Sequence, residues 1–389
     1  MSIDPISQQL HNSLIIGGDD GYDSLKFRAY YKGRTAQLRL PSLLAPGAPS
    51  RLDLDGSETD LFGYDAIDAD TGEQKTFSVG VDQRGLIRTD QQDFMISAGA
   101  RVLLYHGIRC IAKELDYNES DPVFVMTGLP VETFYIGNKR NVQVIERKLS
   151  NLRPDGFAGK PVVAHGKGLC ETPTPTFIGC GAEAVAAWYG LSLDVNLNTM
   201  KPEVNAINAS LKVVVIDWGG RTIDIIPMHQ GAPDFTVKRS IHDKGGMYLA
   251  RKLEQFVKLE KSAEIKYLDR LEYRHYRQAL ISGTLTIFGA TYDVTAQRTS
   301  AIKEYALEIA PELFAILEGM TDYTHCLFVG GPVELLLEQK GVDWFPPVME
   351  RCKVPEDIGT PYMNAYGLCA QALQAATLHY KSLLQKESA

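Results

Sequence analysis

The chain has 389 residues, 44% of them hydrophobic, which is enough apolar material for two or three packed domains and excludes a disordered or fibrous protein. Forty Lys and Arg against 48 Asp and Glu leave a net charge of −8, so direct nucleic-acid binding is not expected beyond a local patch. Six cysteines, at 110, 170, 180, 326, 352 and 369, form no C-x-x-C, and no His pair has zinc spacing, so they read as reduced and mostly structural. The N-terminal segment lacks a basic, signal-like region, and nowhere do about 18 apolar residues follow one another. A cytoplasmic protein without a membrane partner is the expectation.

In chain order, "LIIGGDDGYDSLKFRAYY" predicts strand, turn, strand, and "KGRTAQLRL" continues the meander toward a Pro-rich loop. Apolar spacing from Asp90 to Glu114 is helical, and "PVFVMTGLP" predicts a buried strand ending at Pro130. The charged stretch Asn138 to Asn151 reads as a helix, "CETPTPTF" as a loop, and "GAEAVAAWYGLSL" as a helix. A second strand pair follows at "VVVIDWGGRTIDIIPM". Helices are then expected at "GGMYLARKLEQFV", from about Lys261 to Ile281, and near Ser300 to Met320. Strand "HCLFVGG" leads into helix "PVELLLEQK", with Pro332 at the permitted first turn, and the tail from Asn364 is helical. Alternating β and α elements imply an α/β layer fold.

The two hairpins are near copies. When "LIIGGDDGYDSLKF" is laid over "KVVVIDWGGRTIDI", Asp19 falls on Asp217, Gly21 on Gly219 and Leu25 on Ile223. Two such units 198 residues apart suggest two related α/β halves facing each other across a cleft. Glycines in the turns permit positive φ and leave backbone N–H groups open to phosphate. Asp19 and Asp217, at the strand ends, suit a Mg²⁺ held through its waters. Lys26 has the reach to place an ammonium on a phosphate oxygen. "LFVGGPVELL" adds a strand, a double glycine and a helix start, where a ribose or ring could approach. The plain alternative for either hairpin alone is a turn that uses Asp and Gly for their conformational ease.

These residues resemble the actin-like ATPases, most closely the bacterial plasmid-segregation actins of the ParM or StbA group. "DDGYDSLK" (Asp19 to Lys26) is similar to the first phosphate element, "DWGGRTID" (Asp217 to Asp224) to the second, "VGGPVEL" (Val329 to Leu335) to the adenosine element, and "NAYGL" (Asn364 to Leu368) to the second connecting helix. "LPVETFY" and the charged "IERK" helix are also similar to the plasmid actins. The resemblance implies an actin-like α/β fold of two duplicated RNase H-like halves around an interdomain nucleotide cleft. The first half is expected over residues 1–210, closed by 365–389, and the second over 211–364. It further implies ATP (or GTP) with Mg²⁺ as cofactors, ATPase activity, and head-to-tail self-assembly into filaments that disassemble after hydrolysis. An adaptor protein bound to DNA is the implied partner, in plasmid segregation or related positioning.

By the same resemblance Glu171, in "CETPTP", and Asp217 are the catalytic candidates, although this loop carries extra Thr-Pro steps compared with the plasmid actins. Nucleotide contacts fall to Asp19, Gly21, Tyr22, Asp23, Lys26, Gly219, Gly220, Arg221, Thr222, Gly245, Gly246, Arg274, Arg277, Gly330, Gly331 and Pro332. Asp19 and Asp217 are the Mg²⁺ candidates, through water. Two departures stand out: Pro332 occupies the place of a third glycine, and Tyr22 and Asp23 replace small residues. Two other functions share the fold: a monomeric kinase-like or chaperone-like ATPase, and a nucleotide-binding scaffold with little hydrolysis.

Overall fold

The structure is a computed structural model, and it describes residues 4–21, 24–49, 62–68, 71–80, 87, 89, 92–153, 159–165, 171–236, 238–337 and 349–387. The chain forms two compact units, Met1–Ala209 with Tyr362–Ala389, and Ser210–Pro361.

In the first unit, five strands lie in the order Phe177–Ala182, Val123–Leu129, Leu14–Asp20, Ser24–Tyr31, Arg34–Pro41. The first three are parallel, and the last three form an antiparallel meander. Val123–Leu129 is buried at every position, as befits an apolar run covered on both faces. The helix Ala98–Glu114 packs Val102, Leu104, Ile108 and Ile111 into this core, and its start is fixed by the Ser97 hydroxyl, which accepts from the Ala100 N–H. A 3-10 turn, Gln92–Ile96, occupies the front of the helical stretch expected from Asp90. The charged helix also starts later than expected, at Val142, because a small hairpin, Tyr135–Ile136 with Lys139–Arg140, precedes it. A second sheet, Val162–His165, Phe62–Ile67, Gln74–Val79, Leu44–Pro46, was not foreseen from the sequence.

The tail helix, Met363–Glu387, belongs to this unit and covers the Leu14–Asp20 strand. It can approach because side chains are missing at two contacts: a Cβ at Gly17 would collide with the helix backbone at Ala365 and Cys369, and one at Gly367 with the Ala186 carbonyl. Asn364 fixes the crossing further by accepting from the Ala184 N–H at 2.9 Å.

The second unit repeats the plan. Ile223–His229, Val213–Trp218, His325–Val329 and Glu350–Arg351 are successive neighbours, with Ala232–Pro233 and Arg239–Ile241 beyond Ile223–His229. Val213–Trp218 pairs antiparallel within its hairpin and parallel with His325–Val329, as Leu14–Asp20 does with its two neighbours. Helices Gly246–Lys261 and Thr295–Glu318 pack their Leu249, Leu253, Ile302 and Tyr305 side chains against the sheet residues Ile216, Trp218 and Phe328. The helix expected from Lys261 to Ile281 is broken. Tyr267 adopts φ +66°, a short 3-10 turn follows at Leu268–Arg270, and a new helix runs Tyr273–Ser282 behind a capping box of Glu272 and His275. Among the described residues no helix is long and apolar enough to cross a membrane.

Candidate functional site

Each unit places a buried aspartate one residue before the end of its hairpin's first strand. Asp19 is 4% exposed and Asp217 8%. In each hairpin four residues separate the last paired positions, Asp20 with Leu25 and Trp218 with Ile223. The aspartates' cross-strand partners differ in charge: Asp19 faces Lys26, and Asp217 faces Asp224.

In the first unit the Lys26 ammonium donates to Asp19 at 3.0 Å. Lys26 and Asp19, expected to reach phosphate and Mg²⁺ separately, therefore form one ion pair. The Gly21 carbonyl accepts from the Ser42 hydroxyl at 2.8 Å. Tyr22 and Asp23 lie outside the described residues.

Asp20, the next residue, was missed by the sequence reading. It accepts from Lys148 at 2.7 and 2.9 Å and from the Thr127 hydroxyl at 2.7 Å, while Lys148 also donates to the Gly128 carbonyl at 2.5 Å. Lys148 is 2% exposed. Burial works against its charge, but the adjacent Asp20 outweighs it and holds the ammonium above its usual pKa. The neighbouring Cys180 thiol is pushed up to about 12 by burial. "IERK" carried the signal as charge on a helix; burial of the lysine depends on strands distant in sequence.

Glu171 is exposed in its loop. The adjoining backbone is held by Lys160, which donates to the Thr172 carbonyl at 3.2 Å and the Thr174 hydroxyl at 3.0 Å.

In the second unit three of the glycine segments read from the sequence converge. The turn 219–222 presents its carbonyls to the start of the Gly246–Lys261 helix: Gly245 donates to Arg221 at 3.0 Å, Gly246 to Gly219 at 3.0 Å, and Met247 to Gly220 at 2.8 Å. The Gly219 N–H closes the turn onto Thr222 at 3.0 Å. These bonds correct one expectation. The N–H groups of Gly219, Gly245 and Gly246 are engaged within the protein, so what these glycines supply is close approach. A Cβ at Gly245 would stand 2.6 Å from the Gly219 oxygen. Gly330, at φ +106°, lies against the Trp218 backbone, where any Cβ would collide with the carbonyl. Pro332 packs over Gly246, and Gly331 begins the Gly331–Leu337 helix. Trp218 is anchored in turn by its indole N–H, which donates to the Tyr305 hydroxyl at 2.5 Å, and Tyr305 donates to the Lys244 carbonyl.

The polar candidates spread outward from this centre. Asp224, buried beside Asp217, accepts from Ser240 at 2.6 Å and from Thr222 at 3.4 Å. Arg221 pairs with Asp243 at 3.2 Å at the surface. Arg274 lies 3.2 Å from Glu272, and it and Arg277 sit half-buried on the Tyr273–Ser282 helix. Among the described residues no group of three or more His, Cys, Asp or Glu gathers as a metal cage. A cation here would rest on one or two carboxylates and its own waters, an arrangement that suits Mg²⁺. Asp217 and Asp224, buried and directly opposite each other across the sheet, are carboxylates of that kind.

Solved structures match this architecture over nearly the whole chain. One is a 15-stranded ParM filament from Clostridium botulinum, with 15% identity, TM-score 0.63, and coverage of 93% of this chain and 99% of that one. A second is Ta0583, an archaeal actin homologue, with 16% identity, TM-score 0.61, and coverage of 93% and 99%. The third is Bacillus thuringiensis ParM with ATP, with 16% identity, TM-score 0.61, and coverage of 94% and 99%. This chain has the actin-like fold. Residues 212–340 of the actin-like chain also match the family model of the Alp7A C-terminal domain. No curated protein matches it by sequence. On fold and on that domain, the resemblance to the plasmid-segregation actins holds.

Proposed function

We propose that the chain is an ATP-dependent, filament-forming bacterial actin. It binds ATP, or GTP, with Mg²⁺, polymerises head-to-tail and disassembles after hydrolysis. The observation that carries this reading is the convergence behind Asp217: a turn, a helix start and a strand end pack backbone against backbone and leave a buried carboxylate pair at the strand end. The equal hairpin in the first unit, and neighbours described as a ParM filament and as ParM with ATP, AMPPNP and ADP, support it.

Phosphoryl transfer of this kind depends on positioning and charge. When bound, Mg²⁺ neutralises phosphate charge. Asp217, held by its buried strand, orients the attacking water with Glu171, and Lys26 exchanges Asp19 for a phosphate oxygen. Gly21, Gly220 and Thr222 lie along the phosphates. Gly330, Gly331 and Pro332 lie toward the adenosine, with Arg274 and Arg277 beside the base. An adaptor protein bound to DNA would link such filaments to a plasmid or other cargo inside the cell.

ATP with Mg²⁺, and not ADP, should make the protein scatter light and pellet, followed by phosphate release. A protein that stays monomeric at tens of micromolar with ATP would refute the filament. Asp217→Ala should lower phosphate release by about a hundredfold or more, and near-normal turnover would remove Asp217 from the site. Glu171→Ala should lengthen filament lifetime; unchanged disassembly would point to a different carboxylate.

A further inference from the structure

Asp217 is only as well placed as the strand end that carries it, and that end runs into Gly219 and Gly220, which have no side chains to hold it. The fixing point is Trp218, the last residue of the strand. Successive side chains of a strand leave opposite faces, so the indole enters the core on the face opposite the Asp217 carboxylate, 1% exposed. Its N–H donates to the Tyr305 hydroxyl at 2.5 Å, and the two ring centroids lie 6.1 Å apart. The same hydroxyl donates to the Lys244 carbonyl at 2.5 Å. Tyr305 is fully buried, so a lost bond would leave a buried polar group unpaired. Lys244 directly precedes Gly245, Gly246 and Met247, whose N–H groups grip the carbonyls of the turn 219–221. One hydroxyl thus ties the entry of the turn to the segment that holds the turn itself.

The hydroxyl is in turn held in place along the sheet. Tyr305 lies on the helix Thr295–Glu318, beside Glu304 and Glu308. Lys252, 6% exposed, donates to Glu304 at 2.6 Å and pairs with Glu308 at 2.9 Å, while the Tyr248 hydroxyl donates to Glu308 at 2.8 Å. The Lys244 ammonium also pairs with Glu308. These bonds fix Thr295–Glu318 against Gly246–Lys261, and with them the position of the hydroxyl. We propose that Tyr305 is a positioning residue for nucleotide hydrolysis: through Trp218 its hydroxyl holds the Asp217 carboxylate where the attacking water must be oriented. Misplacing a reacting group by about 1 Å costs about a hundredfold in rate, so a hydroxyl that sets this strand end acts on turnover more than on binding. The proposal rests on the ATPase reading above and names what keeps its carboxylate in place.

Tyr305→Phe removes the hydroxyl and keeps the ring. In the full-length protein with ATP and Mg²⁺, kcat for phosphate release should fall about tenfold while KM for ATP stays within about twofold, and pelleting with AMPPNP should be unchanged. Trp218→Phe breaks the same bond from the other side, leaves Tyr305 bonded to Lys244, and should show the same split; it decides the matter alone if Tyr305→Phe does not fold. The double variant should be no slower than the slower single one, because the two share one bond. If the variants lose melting temperature but keep kcat, the bond is only structural, and the proposal falls while the ATPase reading stands. If kcat falls in Tyr305→Phe and not in Trp218→Phe, the effect runs through the Lys244 carbonyl and the proposal is overturned. A shift in KM or in AMPPNP pelleting as large as that in kcat would assign the bond to binding or assembly, which also overturns it. If the unaltered protein releases no phosphate, both readings fall together.

Discussion

The two hairpins share a backbone plan and differ in charge. In the first, Asp19 meets Lys26 across the strands at 3.0 Å, so the carboxylate is neutralised by its own sheet. In the second, the same position opposes Asp217 to Asp224, both buried. The first hairpin sets a cation opposite its aspartate, and the second sets a carboxylate there. A duplicated scaffold thus carries different charge at the same position, and the packing behind each hairpin differs as well. Three glycine segments brace the second. The first is braced by Asp20, Lys148 and Thr127.

Five changes would sharpen or break that contrast. Lys148→Met removes one member of a buried ion pair and leaves Asp20 uncompensated, so the first unit should lose about 4 kcal/mol in denaturant unfolding; a loss under 1 kcal/mol would mean that the pair is dispensable. Gly330→Ala forces a Cβ into the Trp218 carbonyl at φ +106° and should destabilise the second unit by about 3–4 kcal/mol. Gly21→Ala, whose Cβ would stand 3.2 Å from the Ser24 carbonyl, should cost only about 0.5 kcal/mol. Equal melting points for the two alanine variants would contradict the different bracing.

Acid should also separate the units. His106 is buried in the first, against Tyr64 at 2.8 Å, and burial, aided by the Arg109 charge, lowers its pKa from 6.5 to about 4. None of the second unit's histidines is buried. Because the folded pKa lies below the unfolded one, this contribution is complete above pH 6.5 and is lost as pH falls toward 4. It amounts to about 3 kcal/mol. His106→Asn should flatten the melting temperature over that window, and an unchanged slope would assign the loss to other groups. An effect as small as that of Gly21→Ala, but of opposite sign, is expected of Asp224→Asn, which removes the like-charge pair: the protein without nucleotide should gain about 0.5 kcal/mol while needing more Mg²⁺ for turnover. Unaltered Mg²⁺ dependence would show that Asp224 does not share the cation.

Much of this was legible in the sequence because its signals are local. An apolar run that stops at Asp, then Gly, fixes a strand, its end and its turn within ten residues, and the copy at 217 confirmed the one at 19. Gly245 and Gly330 were found as motif glycines, but the reason for them is steric and lies in backbone from other segments. Lys148 was invisible as a buried residue, since its own helix is charged and its hydrogen-bond partners, Asp20 and the Gly128 carbonyl, are distant in sequence. The helical pattern from 261 to 281 misled because helical spacing continues through Tyr267, whose left-handed backbone interrupts it. The small sheet built on Phe62–Ile67 pairs strands up to about a hundred residues apart, and none announces itself alone.

The seat of the tail helix on Gly17 and Gly367 sets an order of events during synthesis. The second unit is one continuous stretch, Ser210–Pro361, and all of its strands are synthesised before the tail helix. The first unit begins earlier but must keep the Leu14–Asp20 strand uncovered until residues 363–387 arrive. The half translated first is therefore the half completed last, and a nascent chain could not offer a finished first hairpin to a ligand until the tail helix had been delivered.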